Sequence, residues 1–273
     1  MNRIDALFAR LRREGRPALM PFVTAGDPDL ATTAALIPEV IRRGADMVEV
    51  GIPYSDPVAD GPVIAASYTR ALKGGIKLAH ILDTFRTLRA EDLDGPTAAT
   101  PLVAMISYAI IHRQGGDRFL REAVRAGFDG LIVPDLPVEE SDSLCRLATA
   151  FDLRLIQLVT PTTPRDRAVR IAQSTTGFIY YVSVAGITGE RRALPPELAE
   201  NVAWLRTQTD LPICIGFGIG TPEQIRDLAP VADGLIVGSA LVRRLSVPKP
   251  MADMVREIGD FVADLATGLS SSP

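Results

Sequence analysis

Ala45-Asp46-Met47-Val48-Glu49-Val50, Phe128-Asp129-Gly130-Leu131-Ile132-Val133 and Ala232-Asp233-Gly234-Leu235-Ile236-Val237 begin alike, each with an aspartate in second place and a β-rich apolar run behind it. Recurrence of one strand start points to a repeated β/α architecture. Outward from these copies, short apolar runs alternate with longer stretches of helical period. The candidate strands are Ala18–Thr24, Asp46–Val50, Leu102–Ser107, Gly130–Pro134, Arg154–Val159, Phe178–Val182, Pro212–Gly216 and Gly234–Val237, eight in all. Such alternation is what parallel strands joined by crossover helices require. Helices are expected from Pro28 to Arg43, with Asp27 as N-cap and Gly44 as stop, from Pro222 after Thr221, and from Met251 to Ala266. Met1 to Gly15 reads as an amphipathic helix with Ile4, Leu7, Phe8 and Leu11 on one face, neither a signal segment nor a membrane span.

No Pro/Gly/Ser-rich linker breaks the pattern, so residues 1–273 are expected to form one α/β domain. Its predicted architecture is a (β/α)8 TIM barrel with the extra N-terminal helix across the barrel floor and a frayed tail at 270–273. An open doubly wound sheet is the alternative, since strand order is not legible in one sequence. With 47% hydrophobic residues among 273, the chain can bury a large core. Its charge of −4 arises from 29 basic and 33 acidic residues without a basic stripe, which speaks against nucleic acid as a partner. A cytoplasmic location is the expectation. Cys145 and Cys214 lie far apart in apolar surroundings and read as core thiols.

The first copy of the repeat differs in kind from the others. Where they carry Ile132 and Ile236, it carries Glu49, a carboxylate within a run that otherwise reads as buried strand. An unpaired buried carboxylate loses solvation or takes up a proton, and a group poised between those states suits general acid/base work. The bland alternative is a structural Glu paired with a buried Arg. After Glu49 comes a long polar loop, Gly51 to Pro62, with Asp56, Asp60 and three prolines, at the strand end where such barrels place their active sites. Asp60 could instead cap the helix that follows.

Glycines cluster after the last two strands, in Gly216-Phe217-Gly218-Ile219-Gly220-Thr221 and Gly238-Ser239. Backbone amides there can hold a phosphate dianion, unless the glycines serve only tight turns. Gly186-Ile187-Thr188-Gly189 could add a lid. Lys73, Lys77 and Lys249 are the only lysines and none falls in a strand, which disfavours an imine; His80 and His112, the only histidines, lack metal-ligand spacing. A barrel of this composition that breaks carbon–carbon bonds needs a substrate with its own electron sink and carboxylates to move protons.

Pro21-Phe22-Val23-Thr24-Ala25-Gly26-Asp27-Pro28, Glu49-Val50-Gly51-Ile52-Pro53-Tyr54-Ser55-Asp56-Pro57 and Pro134-Asp135-Leu136-Pro137-Val138-Glu139-Glu140-Ser141 resemble the tryptophan synthase alpha subunit family. Tyr180 to Gly189, Gly216-Phe217-Gly218, Thr221-Pro222-Glu223-Gln224 and Gly238-Ser239 extend the likeness along the chain. The resemblance implies a (β/α)8 barrel that cleaves indole-3-glycerol phosphate to indole and glyceraldehyde 3-phosphate in tryptophan biosynthesis, a retro-aldol step without imine or metal. It implies no cofactor in this subunit, pyridoxal phosphate being expected only in a beta partner, and an alpha2beta2 complex. Carried over residue by residue, Glu49 exchanges protons with indole C3 and the glycerol hydroxyl, Asp60 binds the indole N–H, and Tyr180 is the active-site tyrosine. Phe22, Ile106 and Phe217 line the indole slot; Gly189, Gly218, Gly238 and Ser239 hold the phosphate. Glu49 is expected to be raised toward neutrality by its apolar strand, and Asp60 to stay ionised in a polar loop.

The sequence departs from the family pattern at Val184, where Arg is common, at Gly220, where Ser is frequent, and at Ala109-Ile110, which replaces an Asn-containing run after Tyr108. These positions bear on the lid and on the partner surface around Tyr108, Pro53, Pro57 and Pro137. Two rival functions are a barrel that enolises a sugar phosphate, which has no use for Asp60 as an N–H acceptor, and a silent subunit that only activates a partner, which has no use for Glu49 with Asp60.

Overall fold

The computed structural model describes residues 1–57, 60–93, 95–182, 196–216 and 218–269. In it the three repeated aspartates do the same work. Asp46 donates its N–H to the Leu19 carbonyl at 2.9 Å and accepts the Leu19 N–H on its carboxylate at 3.0 Å. Asp129 closes on Leu102 in the same way at 2.8 and 2.9 Å, and Asp233 on Ile213 at 2.9 and 2.8 Å. Each therefore locks one strand to a single residue of the strand before it. Thr176 makes a fourth lock, its N–H to the Leu155 carbonyl at 3.0 Å and its hydroxyl accepting the Leu155 N–H at 2.8 Å. Arginines neutralise the aspartates: Arg16 on Asp46, Arg3 and Arg89 on Asp129, Arg206 on Asp233.

The strands so aligned are β1 (Ala18–Thr24), β2 (Val48–Gly51), β3 (Leu102–Met105), β4 (Gly130–Ile132), β5 (Arg154–Ile156), β6 (Leu158–Val159), β7 (Ile179–Val182), β8 (Ile213–Gly216) and β9 (Gly234–Val237). All pair in parallel, in the order β5-β4-β3-β2-β1-β9-β8-β7-β6. The two ends of that order are halves of one run. The expected strand Arg154–Val159 is interrupted at Gln157, whose carbonyl still accepts the Tyr180 N–H at 3.1 Å, so β5 faces β4 and β6 faces β7. The sheet thus closes on itself as a TIM barrel, and the open doubly wound alternative falls.

Alternation along each strand sorts the apolar residues into two layers. Leu19, Val23, Val48, Val50, Ala104, Leu131, Ile215 and Leu235 face outward into the helices, while Met20, Phe22, Met47, Val103, Met105, Ile132, Ile156, Tyr180, Cys214 and Ile236 face the axis. The helix Arg3–Glu14 (α1) plugs the floor with Ile4, Leu7, Phe8 and Leu11, Phe8 meeting Phe178 at 5.8 Å. Asn2 caps α1 and also donates to the carbonyls of Asp129 and Asp152, pinning the plug to the barrel.

The second helix, α2, runs Leu30–Arg42 and is capped by Asp29, which accepts the Thr32 N–H at 2.7 Å. The expected cap, Asp27, is instead buried and holds Arg70 through two bonds of 2.9 and 2.6 Å, because a carboxylate withdrawn from water needs a charged partner more than a helix end needs a cap. Arg70 lies on α3 (Pro62–Lys73), so this pair fastens the top of β1 to the helix after the long loop. The helix Pro222–Leu228 begins with a capping box between Thr221 and Gln224, and Met251–Thr267 packs beside α2. Among the described residues no helix is long and apolar enough to cross a membrane. The predicted tail at 270–273 lies outside the described residues.

Asp129 is the most enclosed of the locks, 5% exposed, and it faces Arg89, itself largely buried. Asp129→Ala takes the carboxylate from that guanidinium, which keeps only the carbonyls of Thr97, Thr100 and Gly127, and leaves the Leu102 N–H without its acceptor. A loss of about 3–5 kcal/mol in denaturant unfolding is expected, larger than for Asp46→Ala, whose Arg16 partner reaches solvent; equal small losses at both positions would refute the ranking.

Candidate active site

Following the strand register around the barrel, Glu49, Ile132, Tyr180 and Ile236 occupy equivalent inward positions on β2, β4, β7 and β9. They form one layer of the interior, the arrangement in which alternate strands each supply a side chain. Glu49 is thus a carboxyl group set in a ring of two isoleucines and a tyrosine, with Phe22 as its register partner on β1. It is 1% exposed, and its Oε2 has no hydrogen-bond partner among the described residues. No arginine or lysine among them pairs with it, so the structural ion pair is excluded for that part of the chain. Burial, with the nearby charge of Asp60 added, pushes its pKa up to about 8.

Asp60 stands at the end of the loop, just before α3. Gly61 is the N-cap of that helix and Asp60 makes no capping bond; its Oδ2 accepts the Tyr54 hydroxyl at 3.3 Å. The polar surroundings expected for it are not found. The loop folds inward, burial raises Asp60 to about 6, and the bond from Tyr54 only partly offsets that. Both carboxylates are therefore shifted by the same cause but by different amounts, so at neutral pH Glu49 is mainly protonated and Asp60 mainly ionised. Asp56, the other loop aspartate, is exposed and bonded to Ser55.

Glycine at two strand ends makes room for aromatic rings. A Cβ on Gly51 would lie 2.4 Å from Phe22 Cζ and 2.7 Å from the Tyr68 hydroxyl, and one on Gly216 would lie 2.4 Å from the Tyr180 hydroxyl. Gly216 is thus explained by packing. Gly218 adopts a positive φ of 75° with open space beside it, and Gly238 is the N-cap of the helix Ser239–Leu245. The Gly220 amide is occupied by Gln224 of the capping box at 2.8 Å. Phe217, Gly189 and the lid stretch with Val184 lie outside the described residues.

One predicted slot residue is placed elsewhere. Ile106 belongs to the outer layer between sheet and helices, because alternation from Val103 turns 103 and 105 inward and 104 and 106 outward. Met105 faces the chamber instead. Ile64 and Tyr68, one turn apart on α3, and Tyr54 on the loop also face it, and none of these is among the residues that the sequence reading assigned to the slot. A continuous apolar run such as Leu102–Ile106 hides its own alternation; the i, i+4 spacing of Ile64 and Tyr68 was the available signal for α3. His80 and His112 are exposed, and no cluster of metal-ligating side chains occurs among the described residues.

The sequence profile of the tryptophan synthase alpha chain family matches residues 8–267, nearly the whole chain. The chain belongs to the tryptophan synthase alpha chain family. A tryptophan synthase alpha chain of Rhodopirellula baltica is 51% identical over the full length of both proteins. Among solved structures, tryptophan synthase subunit alpha of Legionella pneumophila superposes with a TM-score of 0.88 at 36% identity, over 98% of each chain. A chain of the tryptophan synthase complex of Pyrococcus furiosus does so with 0.81 at 32% identity, over 91% of this chain and 97% of that one. As a tryptophan synthase alpha chain, this protein is a carbon–carbon lyase of tryptophan biosynthesis that cleaves indole-3-glycerol phosphate to indole and glyceraldehyde 3-phosphate.

The raised pKa of Glu49 has a consequence for stability. Its folded value of about 8 exceeds the ordinary 4.5, so the folded state is free of penalty below pH 4.5, where the group is protonated both folded and unfolded. As pH rises through 8 the chain must fold with a buried charge or retain a proton at a cost. Glu49→Gln, neutral at every pH, is expected to match wild type near pH 4.5 and to exceed it at pH 9 by on the order of 3–5 kcal/mol. A variant less stable than wild type at alkaline pH would mean that Glu49 has a cationic partner after all.

Proposed function

We propose that Glu49 is the proton carrier of this reaction and Asp60 the acceptor for the indole N–H. The observation that carries the reading is the buried carboxyl of Glu49, whose Oε2 has no hydrogen-bond partner among the described residues and whose burial raises its pKa above that of Asp60. Protonated Glu49 gives its proton to indole C3, turning the ring into an indolenine cation whose positive nitrogen is stabilised by Asp60. That cation is the electron sink. Glu49, now a carboxylate, takes the proton of the glycerol hydroxyl; the O–H pair becomes the new C=O bond and the carbon–carbon pair returns to the ring. Indole and glyceraldehyde 3-phosphate result, and Glu49 is again protonated.

Phe22, Ile64, Met105 and the ring of Tyr180 offer an apolar slot for indole, with Phe217 from the loop after β8. The phosphate is assigned to Gly218, Gly238 and Ser239 with Gly189: the first intrahelical bonds of Ser239–Leu245 are those of Leu241 and Val242 to the Gly238 carbonyl, which leaves the preceding amides to a ligand. We further assign a beta subunit as partner, in an alpha2beta2 complex whose pyridoxal phosphate belongs to the beta chain; the likeness to a chain of the Pyrococcus furiosus complex supports it. The region that fits is a 510 Å³ groove lined by Pro53, Tyr54, Asp56, Ile110, Arg113 and Asp135, on the outer side of the loop that carries Asp60. Asp135 knits this rim together by accepting from the Ser107 hydroxyl at 2.6 Å and the Tyr108 amide at 2.7 Å.

Indole release by wild type, Glu49→Gln and Asp60→Asn, each with and without a beta subunit, tests the assignment. Glu49→Gln is expected to lose several powers of ten under both conditions, as removal of an obligatory proton carrier should; turnover near wild type would sink the mechanism. For wild type, kcat/KM should rise as Asp60 ionises near pH 6 and fall as Glu49 loses its proton near pH 8. A profile flat from pH 6 to 8 would contradict those roles.

A further inference from the structure

Two buried side-chain oxygens at the chamber have no hydrogen-bond partner among the described residues, Glu49 Oε2 and the Tyr68 hydroxyl. The first follows from the reaction; the second does not. A fully buried hydroxyl left unpaired costs stability, and phenylalanine would fill the same space without that cost. Tyr68 sits on the chamber face of α3, one turn beyond Ile64, and its ring lies 5.3 Å from that of Tyr54. Its hydroxyl occupies the space a side chain at Gly51 would take. Gly51 is the next inward position after Glu49 on β2, so the hydroxyl lies one inward level beyond Glu49, at the strand end from which the loop carrying Asp60 leaves. The helix cannot readily withdraw it: the neighbouring Ser67 is bonded to Thr24 of β1 at 2.6 Å and Arg70 to Asp27.

We propose that Tyr68 is a positioning residue for the carboxylate pair, its hydroxyl donating to Asp60 in the substrate complex and thereby keeping that carboxylate charged and aimed at the indole N–H. The inference rests on the role given to Asp60 above. Tyr54 is the only donor to Asp60 among the described residues, and at 3.3 Å it is a long one. A second donor held rigidly on α3 supplies what a single long bond does not, and contacts of this kind close up when substrate is bound. Burial and the charges of Asp60 and Glu49 hold the phenol proton in place well above the ordinary tyrosine range, so the group is a donor throughout the working pH.

Tyr68→Phe removes one oxygen and leaves the packing. Indole release is followed across the pH range for wild type, Tyr68→Phe, Asp60→Asn and the double variant, together with thermal unfolding. Tyr68→Phe is expected to unfold at or above the wild-type temperature, to lose about tenfold in kcat/KM at neutral pH, the size of one hydrogen bond to a charged group, and to shift the acidic limb to higher pH. In the Asp60→Asn background the same substitution should change kcat/KM less than about twofold, because the group it acts on is gone. An unchanged pH profile, or an equal loss in both backgrounds, overturns the proposal. Asp60→Asn with wild-type activity would overturn the role of Asp60 and this inference with it, whereas dependence on Asp60 with an inert Tyr68 overturns the inference alone.

Discussion

Everything in this barrel that bears on chemistry depends on where strands start relative to one another, and that is fixed by one small interaction repeated four times. A polar side chain ahead of β2, β4, β7 and β9 accepts the amide of the residue whose carbonyl receives its own N–H. Two short bonds to a single residue leave no freedom to slip, and a slip of one residue would turn every interior side chain outward. The locks sit at the floor, where α1 and its Asn2 cap are anchored to the same elements, while the opposite ends of the strands are left to loops. Stability is concentrated at one end of the barrel and function at the other.

Given that register, the position of Glu49 is not adjustable. It falls into a layer whose other members are Ile132, Tyr180 and Ile236, and a carboxyl group there must either be protonated or destabilise the fold. The barrel uses the first outcome. Asp60, held by a loop rather than by a strand, is less enclosed and keeps its charge at neutral pH. In the proposed mechanism one carboxyl serves as an acid and the other as an anion because one belongs to the rigid interior and the other to its rim, not because the groups differ in chemistry.

The same register explains how far the sequence could be read. Barrel, helical plug and the oddity of Glu49 were legible because each repeats a pattern: an aspartate before a strand, an apolar stripe, a break in a recurring isoleucine. The interruption at Gln157, the reassignment of Asp27 from cap to Arg70 partner, and the outward turn of Ile106 were not, since each is decided by a neighbour distant in sequence. Residues lining the chamber from α3 and the loop, Tyr54, Ile64 and Tyr68, were missed for a related reason. Their inward direction follows from how α3 is fastened to β1 through Ser67 and Arg70, which no local pattern records.

The fourth lock shows the limit most sharply. Asp46, Asp129 and Asp233 each precede their layer residue by three positions, whereas Thr176 precedes Tyr180 by four. The extra residue is absorbed at Gly177, which takes a φ of 83°, a conformation costly for any other residue there. With threonine for aspartate and one residue inserted, the copy is invisible to a search for self-similarity, yet it delivers Tyr180 to the position that Glu49 holds on β2. The equivalence of these two side chains is therefore a property of the closed barrel and not of the sequence. It accounts for Glu49 and Tyr180 reaching one level of the interior from strands on opposite sides of the ring: both stand at the height where the interior ends and the loops begin, the one level at which a side chain can be held by the core and still face a substrate.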